Sequence, residues 1–356
     1  MSSLLDPVSF SHGPSMPNRF MLAPLTNQQS HADGTLSDEE RTWLVMRAEG
    51  GFGLVMTCAA HVQRRGQGFS GQLGTFGDEH VAGLSGLASA IKSHGSVAIC
   101  QLHHAGRRSP AELIGEQPVC PSDDSSTGAR ALTTGEVDEL VADFVAAAVR
   151  CDRAGFDGVE LHGAHDYLIC QFLSAETNRR TDEWGGSLEN RSRLLMTILE
   201  GIRASCRPDF SVSVRLSPER FGMVTSEICE VFDRLVDVGV DFIDMSLWDV
   251  FKEPADEKLA GRRLVDVFAD RRRAATRLAV AGKLYSAADA QRAVDAGADI
   301  AVIGRGAIVH HDFARRAADP TFVMRDLPVP AADLRAEGLS DLFVGYMRNW
   351  KGFVAD

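Results

Sequence analysis

Between Gly158 and Arg191 the chain reads GVELHGAHDYLICQFLSAETNRRTDEWGGSLENR, an apolar strand followed at once by His162, His165, Tyr167 and a dense run of charged groups. Two imidazoles three residues apart can ligate a metal, or they can both donate hydrogen bonds to one oxygen, such as a carbonyl or a phenolate. No third ligand at a recognisable spacing accompanies them, and they follow a strand rather than ride a helix, so the oxygen-binding reading is preferred and no metal is expected. A structural role for the pair stays open at this point. Tyr167, a phenol protonated at neutral pH, is a candidate general acid, against the alternative of a loop tyrosine with its hydroxyl satisfied. His103 and His104 are further candidates. Neighbouring side chains on a strand point to opposite faces, so at most one of them is expected to face the same pocket.

Groups of this kind need a scaffold that presents strand ends to a common space. Short apolar runs recur at 20–23, 53–57, 97–102, 158–161, 212–216, 242–246, 278–281 and 300–303, separated by segments of helical period. Continuous apolar strands are what a parallel sheet covered on both faces demands. One intervening helix, 134–154, opens with a possible capping box of Thr133 and Glu136. Gly155-Phe156-Asp157, Gly239-Val240-Asp241 and Gly297-Ala298-Asp299 each precede such a strand, and Gly51-Phe52-Gly53 is a looser version. Each reads as helix end, tight turn and strand. Eight such units joined right-handedly close into a TIM (β/α)₈ barrel, here a single domain over 1–356. An open doubly wound sheet is the rival, but no GxGxxG follows the first strand and no second domain boundary is visible.

The Gly-, Pro-, Ser- and Asp-rich segment at about 105–133 is expected to cap the barrel mouth, and about 328–356 to form a tail docked on its own barrel or on a neighbour. Catalytic groups of a barrel lie at the C-terminal ends of its strands. Thr26, Gln101, His103 or His104, His162, His165, Tyr167, Arg215, Gly282-Lys283 and Gly304-Arg305 all fall there. Gly282 and Gly304-Arg305 follow the seventh and eighth strands, where barrels often bind phosphate through backbone N–H groups and an arginine. Turn glycines beside a surface arginine are the alternative.

Composition removes several function classes. A net charge of -12 argues against nucleic acid, and the arginine clusters at 262–263 and 271–273 are interleaved with Asp266 and Asp270, as on a solvated helix face. Hydrophobic content of 44% and charged content of 24% fit an ordinary globular protein. The seven cysteines form no CxxC pair, so neither a disulfide framework nor a metal cassette is expected and a reducing cytoplasm is. Neither a signal peptide nor an apolar run of about 18 residues is present, so no membrane partner is expected.

Five ordered blocks carry a resemblance: Asn18-Arg19 with Ala23-Pro24-Leu25-Thr26, Gln101 to Arg107, Glu160 to Arg191, Val214-Arg215-Leu216-Ser217-Pro218, and Gly304-Arg305. Over nearly its whole length the chain resembles the Old Yellow Enzyme family of FMN-dependent NAD(P)H oxidoreductases, or ene-reductases. The resemblance implies FMN across the barrel mouth, contacted by Ala23, Pro24, Leu25, Thr26, Ala59, Gln101, Arg215, Gly282, Lys283, Gly304 and Arg305. Within that set Gln101 would meet the pyrimidine edge, Arg215 would place positive charge near N1 and O2, and Thr26 would meet O4 in place of the cysteine some members carry. His162 and His165 would hold the carbonyl of an α,β-unsaturated small-molecule substrate, and Tyr167 would protonate its α carbon. NADH or NADPH would be the reductant in a ping-pong cycle.

Asp166 stands where the family usually has glycine. A carboxylate there would keep Tyr167 protonated, and it would also narrow the pocket or shift the loop. The His-Ala-x-His pair and the ending Arg348-Asn349-Trp350 resemble the thermophilic-like bacterial subgroup. That implies a homo-oligomer in which Arg348 reaches a neighbour's substrate site. Two alternatives remain: a flavin-free barrel aldolase or isomerase with Lys283 as a Schiff-base lysine, and a degenerate flavin-binding protein with little turnover.

Overall fold

A computed structural model describes residues 2–355. Eight parallel strands run β1 (Phe20–Leu22), β2 (Leu54–His61), β3 (Val97–His103), β4 (Gly158–Gly163), β5 (Ser211–Leu216), β6 (Phe242–Ser246), β7 (Arg277–Ala281) and β8 (Ile300–Ile303). Each pairs with the next, and β1 also pairs with β8 through Phe20 beside Ala301, which closes the barrel. The capping box at Thr133 and Glu136 is present at the head of the Thr134–Arg153 helix. Strand β2 runs four residues past the apolar run at 53–57, because a register shift between Met56 and Ala59 carries the chain past Thr57 and Cys58 and sets Ala59 beside Gln101.

The glycine–x–aspartate repeat has a function in the ladder beyond its turn. Gly155, Gly239 and Gly297 each have positive φ, 86°, 74° and 102°. Each following aspartate then accepts a hydrogen bond from the first N–H groups of the preceding strand: Asp157 from Ala98, Asp241 from Val212 and Asp299 from Leu278, all at 2.9 Å. A carboxylate thus joins the bottom of one strand to the entry of the next, in three successive pairs of strands. In the looser unit Asn18 substitutes, its side-chain oxygen accepting from Phe20 and Gly53.

Side chains alternate in and out of a barrel wall, and the inward set is split. Met21, Leu54, Met56, Val97, Ile99, Phe242, Ala279, Ala281, Ile300 and Val302 form the inner apolar cluster, plugged from below by Val8, Phe10 and Met16. The outward residues join a larger core beneath the helices. On β3 to β6 the inward positions nearer the mouth are polar instead: Gln101, Glu160, Ser213, Arg215 and Asp244, joined by the registers Gln101 beside Glu160, Glu160 beside Ser213 and Arg215 beside Asp244.

Two additions flank this barrel. The segment at 105–133 carries a one-turn helix at Gly106–Arg108 and a short ladder of Val119–Cys120 with Arg130–Ala131. The tail docks on its own barrel: Val329–Pro330 pairs with Val354–Ala355, the Phe343 ring lies 5.4 Å from Trp43, and the Ser340 N–H donates to Gln29. Among the described residues no helix is long and apolar enough to cross a membrane, and all seven cysteines are free.

Candidate active site

At the end of β4 three imidazoles and a phenol converge. The His162 and His165 rings are 5.2 Å apart and nearly perpendicular, and Tyr167 lies 5.0 Å from His162 and 4.3 Å from His103. His103 is therefore the one of the strand-three pair that faces the site. His104 turns away to Gln63 and the Gly106 N–H. Burial pushes the His162 and His165 pKa values down, with the neighbouring histidines and Arg215 adding to the effect, so both rings are neutral at pH 7. A neutral imidazole has one N–H and one bare nitrogen. His165 Nε2 is bonded to the Ser246 hydroxyl at 2.8 Å, which leaves its other nitrogen for a ligand. His162 Nδ1 and His103 Nε2 are buried with no hydrogen-bond partner among the described residues. Burial also raises the Tyr167 pKa, so the phenol keeps its proton through the neutral range. Asp166 contributes to that shift, but less than burial does.

Beneath this group lies a sealed charge cluster. Arg215 Nε is 3.2 Å from Asp244, and Gln101 donates to Glu160 at 2.8 Å. Two fully buried carboxyl groups and one nearly buried guanidinium share this space, and desolvation, reinforced by Asp244, lifts the Glu160 pKa to about 8. Glu160 is therefore protonated at pH 7, and Arg215 and Asp244 balance each other. Because the ordinary value is 4.5, folding takes up a proton at Glu160 between there and about pH 8. Stability contributed by the protonated carboxyl is present at the acid end of that window and is lost as pH rises through it. Glu160→Gln is expected to flatten this part of the stability profile, read as Tm against pH; an unchanged slope would show that Glu160 is ionised throughout.

The loop carrying Tyr167 is held in an unusual conformation. His165 and Asp166 have φ of 61° and 62°, two consecutive left-handed residues, neither of them glycine. Asp and Asn tolerate this region better than most side chains, which explains how Asp166 can occupy it without a glycine. Its carboxylate is committed elsewhere: Arg107 donates to both oxygens, at 2.8 and 3.2 Å, and reaches Asp124 at 2.8 Å. Gln171 donates to the Asp166 carbonyl at 2.6 Å, and Ser217 receives the His165 N–H. The capping segment thus clamps the loop that presents Tyr167. Asp166→Ala removes the clamp while keeping a Cβ at positive φ, and is expected to cost about 1–3 kcal/mol and to raise the KM for a ligand bound at Tyr167. Asp166→Gly, free of the backbone strain, should lose less stability. Equal Tm and KM values for wild type and Asp166→Ala would remove the clamp from the account.

Around the rest of the rim, Ala23 and Ala59 are buried and Pro24, Leu25 and Thr26 are half-buried. Burial raises the Tyr346 phenol, and a hydrogen bond with Thr26 opposes it, so the tail reaches its own barrel mouth at that residue. Arg348 is exposed just past the tail helix Asp341–Met347. Gly282 has φ 152°, and a Cβ there would lie 2.7 Å from the Trp248 main chain, so this position requires glycine. At Gly304 a Cβ would make only ordinary van der Waals contact, with Leu25 at 3.9 Å and Ala23 at 4.0 Å, so the position is uncrowded. Arg305 lies exposed above it, over the Tyr285 ring. The Lys283 ammonium is exposed and paired with Asp249 at 3.0 Å, without the apolar pocket a Schiff-base lysine needs.

Several site residues escaped the sequence reading. Glu160 and Asp244 are charged residues inside otherwise apolar strands, a signal that marks an inward polar position. Ser246 closes β6, Arg107 and Arg108 lie on the one-turn helix after β3 and Ser217 just past β5, positions whose approach to the site strand periodicity does not encode.

The family model described as NADH:flavin oxidoreductase / NADH oxidase matches residues 3–321. The chain is 37% identical over 317 residues to the probable NADH-dependent flavin oxidoreductase YqiG of Bacillus subtilis (strain 168), covering 86% of this chain and 85% of that protein. Among solved structures, the old yellow enzyme homologue from Zymomonas mobilis superposes with a TM-score of 0.81 at 29% identity, over 96% of this chain and 99% of that one. Morphinone reductase in complex with tetrahydroNAD superposes with a TM-score of 0.82 at 28% identity, over 96% and 97%.

Proposed function

Because the chain belongs to the NADH:flavin oxidoreductase / NADH oxidase family, and is thus an FMN- and NAD(P)H-dependent oxidoreductase of the Old Yellow Enzyme type, we propose that its barrel mouth reduces the activated C=C bond of α,β-unsaturated carbonyl compounds. The observation that carries this reading is the convergence on His162 of the neutral His165 ring, 5.2 Å away, and the protonated Tyr167, 5.0 Å away, with buried nitrogens of His162 and His103 left unpartnered among the described residues. Such nitrogens are costly unless a ligand meets them.

The residues fit FMN. Arg215 is 5% exposed and is the cation of the buried cluster, where it can face the electron-rich edge of the ring, and Gln101 lies two strands away, across Glu160. The uncrowded Gly304 and the exposed Arg305 after the last strand, with Gly282 after the one before it, suit the phosphate, and Ala23 to Thr26 with Ala59 form the adjoining rim. When bound, FMN would supply the hydride for the alkene, with NADH or NADPH as the source of its reducing equivalents. The chain does the rest. His162 and His165 donate to the substrate oxygen, drawing electron density from the double bond and making its β carbon electrophilic. Tyr167 gives its proton to the α carbon and recovers one from solvent.

Anaerobically reduced protein mixed with a panel of enones, maleimides and nitroalkenes tests this. Reoxidation by at least one class is expected; failure by all would favour a flavin-binding protein with little turnover, and isolation without bound yellow flavin would favour a phosphate-binding aldolase or isomerase. We further propose a homo-oligomer in which exposed Arg348 is presented to a neighbouring copy's mouth, and a cytoplasmic location, which suits the seven free cysteines. Sedimentation as a monomer would remove the Arg348 role.

A further inference from the structure

Two consecutive arginines of the capping segment are used in opposite ways. Arg107 is neutralised by Asp166 and by Asp124, each at 2.8 Å. Arg108 is exposed, and among the described residues no carboxylate lies within ion-pair distance of it. Its Nη1 donates to the His165 carbonyl at 2.7 Å, and its guanidinium carbon lies 4.8 Å from the centre of the Tyr167 ring. A guanidinium has five N–H donors, so most of them remain for a ligand. The charge is felt across the mouth: it bears on His162, His165 and Tyr167 on one side and on Tyr346 of the tail on the other.

Opposing charge comes from Asp166, which Arg107 holds outside ion-pair distance of Arg108. The histidines are neutral, Glu160 is protonated, and Arg215 and Asp244 offset each other. The chain as a whole carries a net charge of -12, so a positive wall beside Tyr167 does not follow from basic composition. Charge of one sign at the entrance of a cleft recruits ligands of the opposite sign, and the planar fork of arginine matches a carboxylate.

We propose that Arg108 receives a carboxylate of the substrate, so that the enzyme prefers α,β-unsaturated carbonyl compounds bearing a second, ionised carboxyl group. This rests on the alkene-reduction reading above. The carbonyl oxygen lies between His162 and His165 and the carboxylate at Arg108, which places the double bond across Tyr167, the ring that the guanidinium covers and that packs against His162. The same anion chemistry is available from the phosphates of the nicotinamide coenzyme, and the test separates the two.

The test compares 4-oxopent-2-enoate with its methyl ester, the same alkene with and without the charge, on FMN-loaded wild type, Arg108→Gln and Arg108→Lys. The kcat/KM for the acid relative to the ester is expected to fall about tenfold in Arg108→Gln, through the KM of the acid, and to be largely kept in Arg108→Lys. Added salt should weaken the acid and spare the ester. Equal losses for both compounds would make Arg108 a mere support of the His165 loop and overturn the proposal. So would a defect confined to reduction by NADH or NADPH and missing with an N-alkyl dihydronicotinamide that lacks phosphates, since the anion would then belong to the coenzyme. If wild type reduces the ester and the acid shows no dependence on Arg108, this inference alone falls; if wild type reduces neither, the alkene reading falls with it.

Discussion

Replacing Tyr167 by phenylalanine is expected to slow reoxidation of the reduced enzyme by an enone about 10²–10⁴-fold, the usual contribution of a positioned general acid, while reduction by NAD(P)H proceeds at nearly its wild-type rate. The asymmetry follows from what the hydroxyl does. It is needed only when the α carbon takes a proton, and NAD(P)H oxidation has no such step. Phenylalanine keeps the ring that packs 4.3 Å from His103 and 5.0 Å from His162, so the pocket keeps its shape. Burial raises the phenol's pKa, so the wild-type oxidative half-reaction should show no loss of the acid on the neutral side of the tyrosine's ordinary value. Rapid mixing of the two half-reactions separately reads this out, and equal losses in both would contradict the proton-donor role.

The second large effect is expected for His162→Ala with His165→Ala. Removing a single preorganised donor from an oxyanion site typically costs about 10²–10³ in rate, so loss of both should bring alkene reduction at least that low. A phenol, which mimics the bound oxygen, should no longer perturb the flavin spectrum on titration. The pair is suited to this task because burial keeps both rings neutral, which lets each combine one donor with one bare nitrogen. An unchanged titration would take both histidines out of the oxygen site.

Most of the scaffold was legible because a parallel barrel writes itself as eight apolar runs, and all eight appear as strands. The extension of β2 past Thr57 was not, since the register shift there brings Cys58, Ala59 and Ala60 into a wall that their polarity does not advertise. The glycine–x–aspartate repeat was visible, but the turn reading caught the glycine and not the aspartate, whose partners lie on a different strand. In the site, His162, His165 and Tyr167 were recoverable from spacing and resemblance. Asp166 stood out as the residue the pattern did not explain. Its account came only with two facts outside local sequence, a left-handed backbone and a partner, Arg107, fifty-nine positions away in the chain. Arg108 was invisible for the same reason: its meaning lies in which carboxylates are absent around it.

The central claim is that hydride and proton reach the two alkene carbons from different sources, the coenzyme by way of FMN and the solvent by way of Tyr167. It is tested most directly by reducing one enone twice, once with NAD(P)H deuterated at the transferred position in ordinary water and once with unlabelled NAD(P)H in deuterium oxide. Product analysis by nuclear magnetic resonance should place coenzyme deuterium at the β carbon alone and solvent deuterium at the α carbon alone. Coenzyme deuterium at the α carbon, or solvent deuterium at the β carbon, would contradict the account.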